Sequence, residues 1–154
     1  RIGFDGDPQI IEYVVTFHTP KEDAHEYAQY EALTGYMPKE FDRFFAAIPQ
    51  KTKPEPLDKT AGEQRYPVMI SNASGTHAMG VYSPDQPSDG YIGAGYGRFI
   101  FPAEGVSKWN CVFRYRRPEG IAPGDYSFSQ FVALGTLDDV RRAMIAVTAD
   151  FSRR

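Results

Sequence analysis

The stretch that decides the fold is Lys108-Trp109-Asn110-Cys111-Val112-Phe113-Arg114-Tyr115-Arg116-Arg117. In an extended strand, successive side chains point to opposite faces. One face here is apolar and holds Trp109, Cys111, Phe113 and Tyr115. The other face holds Lys108, Asn110, Val112 and Arg114. The alternation predicts a half-buried strand over 109–115, with its apolar face in the core.

Short apolar runs on both sides of this stretch extend the strand pattern. In the second half of the chain they cover 66–71, 78–82, 98–101 and 126–134, and turn residues separate them. Near the amino end, residues 10–17 are rich in β-branched and aromatic side chains, which favour strands. Two long loops rich in Gly, Pro and Asp follow later strands, at 83–97 and 116–125. Loops of that length in a compact domain are more often functional than random.

Helical signals occur near both ends of the chain. Thr19 as N-cap, Pro20 at the first helical position and Glu22 in a capping box predict a helix that ends near Gly35. Its apolar stripe would be Tyr27, Tyr30 and Leu33. A second short helix is predicted from the helical spacing of Phe41, Phe44, Phe45 and Ile48, which gives a helical hairpin.

The carboxyl end carries the strongest helix signature. Thr136 is the predicted N-cap, and Asp139 completes a capping box. The predicted buried stripe consists of Leu137, Val140, Met144 and Val147. The chain is therefore predicted to be mainly β (α+β) and to form one domain over 1–154. Its predicted architecture is an antiparallel β-sandwich or curved sheet with the helical hairpin and this C-terminal helix. Residues 49–65 are predicted to form an exposed Pro/Lys-rich loop.

Composition excludes several function classes. The 154 residues include 42% hydrophobic and 24% charged side chains, which is typical of a globular domain. The formal net charge of −3, without a basic half, disfavours nucleic acid as a ligand. No apolar run approaches the roughly 20 residues that span a bilayer. We expect a soluble protein, either cytoplasmic or exported, and the start at Arg1 suggests a processed product or part of a larger chain.

The three histidines and the single cysteine are candidate catalytic groups. His18 and His25 lie near Glu31 in sequence, and His77 follows a turn; with carboxylates they would give an enzyme, a sugar isomerase, epimerase or hydrolase. The alternative is that these histidines are exposed or capping residues, because their spacing matches no recognised ligand pattern. Cys111 is predicted to be a buried, inert thiol. We predict no metal site and no cofactor.

A cluster of glycines and aromatic residues covers 90–97. It fits no phosphate-binding motif, and its glycines would let the backbone approach a ligand while Tyr91 and Tyr96 offer flat faces. A purely structural bend is the alternative. The polar side chains on the strand over 109–115 and its flank add candidate ligand contacts, which are Lys108, Asn110 and Arg114. The alternative is that they form the ordinary solvated face of a half-buried sheet. Trp109 is a further candidate, although it belongs to the predicted core face.

Three stretches, at 74–84, 108–114 and 126–140, resemble the late strands of galactose-mutarotase-like supersandwich proteins. The resemblance implies a carbohydrate setting; that family's catalytic His and Glu match no motif here, so it implies no epimerase activity. The leading hypothesis is a carbohydrate-recognising domain of a larger saccharide-processing protein, with a small-molecule or oligosaccharide ligand. The alternatives are the enzyme above and an interaction or assembly domain in which Phe41, Phe44 and Phe45 contact a partner.

Overall fold

The computed structural model describes residues 1–21, 25–48, 51–91 and 93–152. This part of the chain forms eleven strands and one helix. They are β1 (Ile2–Phe4), β2 (Asp7–Thr19), β3 (Tyr27–Pro38), β4 (Arg43–Ala46), β5 (Glu55–Leu57), β6 (Gly62–Gln64), β7 (Val68–Ser71), β8 (Ala78–Tyr82), β9 (Tyr96–Phe101), β10 (Val106–Arg116), β11 (Gly124–Gly135) and α1 (Leu137–Ser152). The predicted mainly β class is confirmed.

The strands form two antiparallel sheets. The larger sheet has seven strands in the order β1-β2-β11-β8-β7-β4-β5, and the smaller has four in the order β3-β10-β9-β6. The long strands β10 and β11 are interior strands of their sheets and set the register of their neighbours. No helix among the described residues has the length and apolar character that crossing a membrane requires.

Two hydrophobic cores lie on opposite faces of the seven-stranded sheet. One core fills the space between the two sheets and includes Phe113, Phe128 and Ile70. The other lies between the larger sheet and α1 and includes Phe131 and Met69. Because this sheet is covered on both faces, consecutive side chains of β7 and β11 enter different cores. The sequence of a strand that is buried on both faces is therefore a continuous apolar run.

The C-terminal helix begins as predicted. The backbone N–H of Asp139 donates to the Thr136 hydroxyl at 3.2 Å, and the N–H of Thr136 donates to the Asp139 carboxylate at 3.0 Å. This reciprocal pair is the capping box. Val140, Met144 and Val147 are buried against the sheet, and Leu137 packs beside them, so the predicted stripe is confirmed.

The predicted helical hairpin is wrong, and its first half is strand β3. Residue 22, the predicted capping-box acid, lies outside the described residues. In the pairing with β10, Cys111 lies opposite Leu33 and Phe113 lies opposite Tyr30. Two residues of β3, at 31 and 32, thus lie opposite the single residue Val112 of β10, which places a bulge between Tyr30 and Leu33. The bulge turns both side chains toward the core, so a helical spacing arises within a strand.

The second predicted helix is strand β4. Its Phe44 side chain enters the core between the sheets, whereas Phe45 packs against the core beneath α1. Phe41 also packs against the first core. The phenylalanines proposed as an interaction surface therefore serve internal packing.

The remaining strand predictions are confirmed: β7 is shorter than predicted, β8 has the predicted bounds, and the other strands are longer. Residues 10–17 lie within β2, 109–115 within β10 and 126–134 within β11. The predicted loop at 49–65 is largely exposed, but it contains two short edge strands, β5 and β6; residues 49 and 50 lie outside the described residues. Three residues give too little pattern to distinguish a strand from coil.

Candidate functional site

The polar side chains of β10 lie on one face of the four-stranded sheet, as their alternation predicts. This polar face carries Lys108, Asn110 and Arg114, but it is not open to solvent. Asn110 is 4% exposed and Arg114 is 8% exposed. The structure therefore brings three predicted ligand contacts together and covers two of them.

Arg114 is held by bonds from every side of its guanidinium. Nε donates to Gln29 at 2.9 Å, Nη1 to the carbonyl of Ala94 at 2.7 Å and Nη2 to Glu63 at 2.6 Å. Burial lowers the pKa of the Arg114 guanidinium, but the bond and charge of Glu63 outweigh it and the pKa is raised. The Arg114 backbone N–H also donates to Ser88 at 2.9 Å. Arg114 thus fixes the loop over 83–95 and is a positioning residue.

Lys108 and Glu31 form an ion pair on the same face. Lys108 Nζ lies 2.7 Å from Glu31 Oε1, and 5.8 Å from the ring centroids of both Tyr36 and Phe99. Asn110 Nδ2 donates to the same carboxylate at 3.3 Å. Burial raises the pKa of Glu31, but these partners outweigh it and the pKa is lowered. A carboxyl group with a lowered pKa stays ionised at neutral pH. The predicted catalytic acid, Glu31, is therefore an anion that is paired with Lys108.

The other predicted aromatic contacts point elsewhere. Trp109 is 6% exposed and lies in the core against Gly35, where a Cβ would overlap its ring. Tyr96 is also buried, and its hydroxyl accepts from the Ser83 N–H at 3.0 Å and donates to the Ser83 carbonyl at 3.3 Å. Neither ring offers an open face for stacking.

Each glycine of the cluster over 90–97 makes room for a neighbouring side chain. A Cβ at Gly93 would overlap the Tyr91 ring, and one at Gly95 would overlap the Gln86 amide. Gly90 and Gly97 make the same room for Arg117 and Asn110, respectively. The structural alternative for this cluster therefore accounts for its composition, and the glycines let the loop pack closely on β10.

The loop that Arg114 anchors forms one wall of a cavity of about 440 Å³. We call it the tyrosine cavity, because Tyr66, Tyr82 and Tyr96 line it. Its other lining residues include Arg65, Pro67, Ser83, Gln86, Pro87, Gly93, Thr148 and Ser152. Pockets of about 300–1,000 Å³ with apolar walls and a few fixed polar groups are the usual form of small-molecule sites.

Hydrogen bonds hold the loop wall of the tyrosine cavity in place. Gln86 Nε2 donates to the Val112 carbonyl at 2.7 Å, and Ser83 Oγ donates to the Ser129 carbonyl at 2.7 Å. The Ser129 N–H in turn donates to Asp85 at 2.7 Å. The wall is tied to both sheets through β10 and β11. A ligand would therefore meet a largely preformed surface.

Burial, followed by the charge of Asp85, raises the pKa of Tyr82. Its hydroxyl therefore stays protonated at neutral pH and can donate a hydrogen bond to a ligand. Sequence reasoning missed Tyr66 and Tyr82. Tyr66 precedes β7 and Tyr82 is the last residue of β8, and the nearby Pro67 and Pro84 are the one local signal that these strands end there.

The three histidines do not converge. His18 Nδ1 lies 2.8 Å from Asp125 Oδ1 in an exposed pair at the start of β11. His77 lies next to Ala78, which pairs with Gly135 at the other end of that strand, roughly 30 Å away for ten residues. It is exposed and bonds to Thr76 at 3.1 Å. The backbone carbonyl of His25 accepts from the Ile121 N–H at 2.7 Å.

Cys111 is buried, and burial raises the pKa of its thiol far above the ordinary value. Such a thiol is protonated and unreactive at neutral pH, which agrees with the predicted inert role. Among the described residues, no group of three or more His, Cys, Asp or Glu side chains is close enough to hold a metal ion.

Comparisons with known proteins give no relative from which a function could be transferred. No family model matches the chain, and no curated protein and no solved structure matches it. The fold and the tyrosine cavity are therefore the basis for any functional assignment.

Proposed function

We propose that this protein recognises a saccharide and binds one sugar unit in the tyrosine cavity. The observation that carries the proposal is the convergence of Tyr66 and Tyr82 with side-chain hydroxyl groups on a cavity of about 440 Å³. That size suits a sugar unit of an oligosaccharide rather than a protein partner.

The chemistry of the lining matches both sides of a sugar ring. Aromatic faces such as those of Tyr66 and Tyr82 bury the apolar face of a pyranose, and their hydroxyls hydrogen-bond at its edge. Thr148 and Ser152 add hydroxyl groups that can bond to the ring hydroxyls. Because the loop wall is held by Arg114 and Gln86, little ordering entropy is lost on binding.

Recognition fits the lining better than turnover does. No histidine, aspartate or glutamate is among the described residues that line the cavity, so the usual acid and base of glycoside chemistry are missing from its wall. The resemblance to galactose-mutarotase-like proteins supports the same carbohydrate setting. We therefore propose a binding domain, within a larger saccharide-processing protein, rather than an enzyme acting through the histidines.

Isothermal titration calorimetry with neutral and acidic mono- and oligosaccharides tests the proposal. Tyr82→Ala should weaken binding about tenfold or more, which is about 1.4 kcal/mol, because it removes one wall of the cavity. The matched control is Tyr36→Ala, an exposed tyrosine on the polar face of the other sheet. It should leave binding unchanged.

Three results would contradict the proposal. Absence of binding across the whole panel would remove saccharide recognition. Binding lost in Tyr36→Ala but retained in Tyr82→Ala would move the sugar to the polar face. Turnover of any sugar that disappears in His18→Ala, with folding intact, would favour the enzyme hypothesis instead.

A further inference from the structure

The helix α1 covers only part of the seven-stranded sheet. It packs on β8, β11 and β2, whereas β7, β4 and β5 continue the sheet on one side. Strands are about 4.8 Å apart and a helix is about 10 Å wide, so one helix cannot cover seven strands. An apolar strip of the sheet therefore remains beside the helix.

This strip and the helix flank enclose a second cavity of about 330 Å³, which we call the helix groove. Its apolar lining is formed by Ala47, Ile48, Met69, Met144, Ile145 and Ala149. Met69 and Met144 form the buried floor, and Ile145 is 42% exposed. Unbranched thioether side chains adapt their shape to flexible apolar ligands.

Positive charges lie at the rim of the helix groove. Lys51 and Arg141 are both lining residues, and no described lining residue is acidic. Lys51 pairs with Glu55 at 2.5 Å, and Arg141 approaches Asp138 at 3.5 Å, while Arg141 Nη1 donates to the Thr52 carbonyl at 3.0 Å. Exposed ion pairs of this kind contribute little, so either cation can turn to an anionic ligand.

We propose that the helix groove binds a single alkyl chain with an anionic head group, of the class of a medium-chain fatty carboxylate. The apolar floor takes the chain, and the cationic rim takes the carboxylate. The volume is at the small-molecule end of the range for ligand sites and leaves no room for a helix of another protein. This site adjoins the proposed saccharide site, because Thr148 and Ser152 line both cavities, whereas Ile145 and Arg141 line only the helix groove.

Calorimetry with octanoate, decanoate and dodecanoate, below their micelle concentrations, is the first test. Affinity should rise with chain length, by up to roughly fourfold for each added methylene, until the groove is filled. Ile145→Glu should weaken dodecanoate binding at least tenfold, because it places an anion beside the chain. Ile2→Glu is the matched control, since Ile2 is 81% exposed and distant from the groove, and it should bind as the parent does.

The anionic head is tested with Arg141→Gln. This variant should bind dodecanoate several-fold more weakly and dodecanol as before. The proposal is overturned if dodecanoate does not bind, or if Ile145→Glu binds it as tightly as Ile2→Glu. A monomer–dimer equilibrium in sedimentation that only Ile145→Glu abolishes would overturn it in favour of self-association. Saccharide affinity measured on Ile145→Glu should be unchanged, so failure of one site leaves the other assessable.

Discussion

Replacing Arg114 with methionine removes one of the groups that join β10 to the loop over 83–95. Methionine retains much of the apolar stem, so the change deletes the guanidinium with little loss of packing. The Glu63 carboxylate, the Ala94 carbonyl and the Gln29 amide each lose a bond. The substitution therefore isolates the polar contribution of this side chain.

The magnitude follows from the burial of the groups left behind. Removing one partner of a fully buried ion pair costs about 3–5 kcal/mol. The Glu63 side chain is 29% exposed and can recover water, whereas a carbonyl left without its donor costs about 1–3 kcal/mol. We expect Arg114→Met to lower the free energy of unfolding by about 2–3 kcal/mol.

Urea unfolding followed by circular dichroism measures this loss. With a slope of about 2 kcal/mol/M, the midpoint should fall by about 1–1.5 M. Arg116→Met is the matched control, because Arg116 lies two residues further along the same face of β10 and is exposed. Its Cζ atom lies 5.4 Å from the centroid of the Tyr27 ring. It should cost about 1 kcal/mol or less. Equal midpoints for the two variants would refute the role given to Arg114.

Three further predictions concern other parts of the fold. Gly35→Ala should lower the unfolding free energy by about 1–3 kcal/mol, because the new methyl group overlaps the Trp109 ring; Gly62→Ala, with open space around it, should change stability much less in the same urea titration. Glu31→Gln should destabilise the protein at neutral pH, where the parent gains stability from the ionised Glu31 carboxylate. The difference in unfolding free energy between variant and parent should shrink as pH falls below about 4, because Glu31 of the folded parent becomes protonated and loses this stabilisation. A constant difference across the pH series would contradict this. Cys111 should react with a thiol reagent only as fast as the protein unfolds, whereas rapid labelling under native conditions would contradict its burial.

Sequence patterns predicted the elements whose period is uninterrupted. β10 alternates cleanly over 109–115, and the helix α1 carries its own capping box, so local signals were enough. The helix predictions over residues 20–48 were wrong for two physical reasons. A bulge in β3 gives Tyr30 and Leu33 a helical spacing, and Phe44 and Phe45 are adjacent because they enter different cores. Both patterns depend on tertiary packing.

The candidate site was predicted in part. The shared face of Lys108, Asn110 and Arg114 followed from strand alternation. That a loop would cover this face did not follow, because the contact between Arg114 and Ala94 depends on how the loop folds back over the sheet. Tyr66 precedes β7 and Tyr82 ends β8, and the antiparallel pairing of these two neighbouring strands brings the tyrosines together. Pro67 and Pro84 mark the ends of the strands, but no local signal shows that the loop over 83–95 closes a cavity beside them.

The bulge in β3 has a consequence for how this protein behaves at high concentration. β3 is twelve residues long and lies at the edge of the smaller sheet, and its outer side pairs with no strand among the described residues. A long, flat edge recruits strands of other molecules and seeds aggregation. The extra residue between Tyr30 and Leu33 bends the edge and interrupts its ladder of N–H and C=O groups. The bulge that gives this strand the residue spacing of a helix thus also protects it from pairing with a neighbouring molecule.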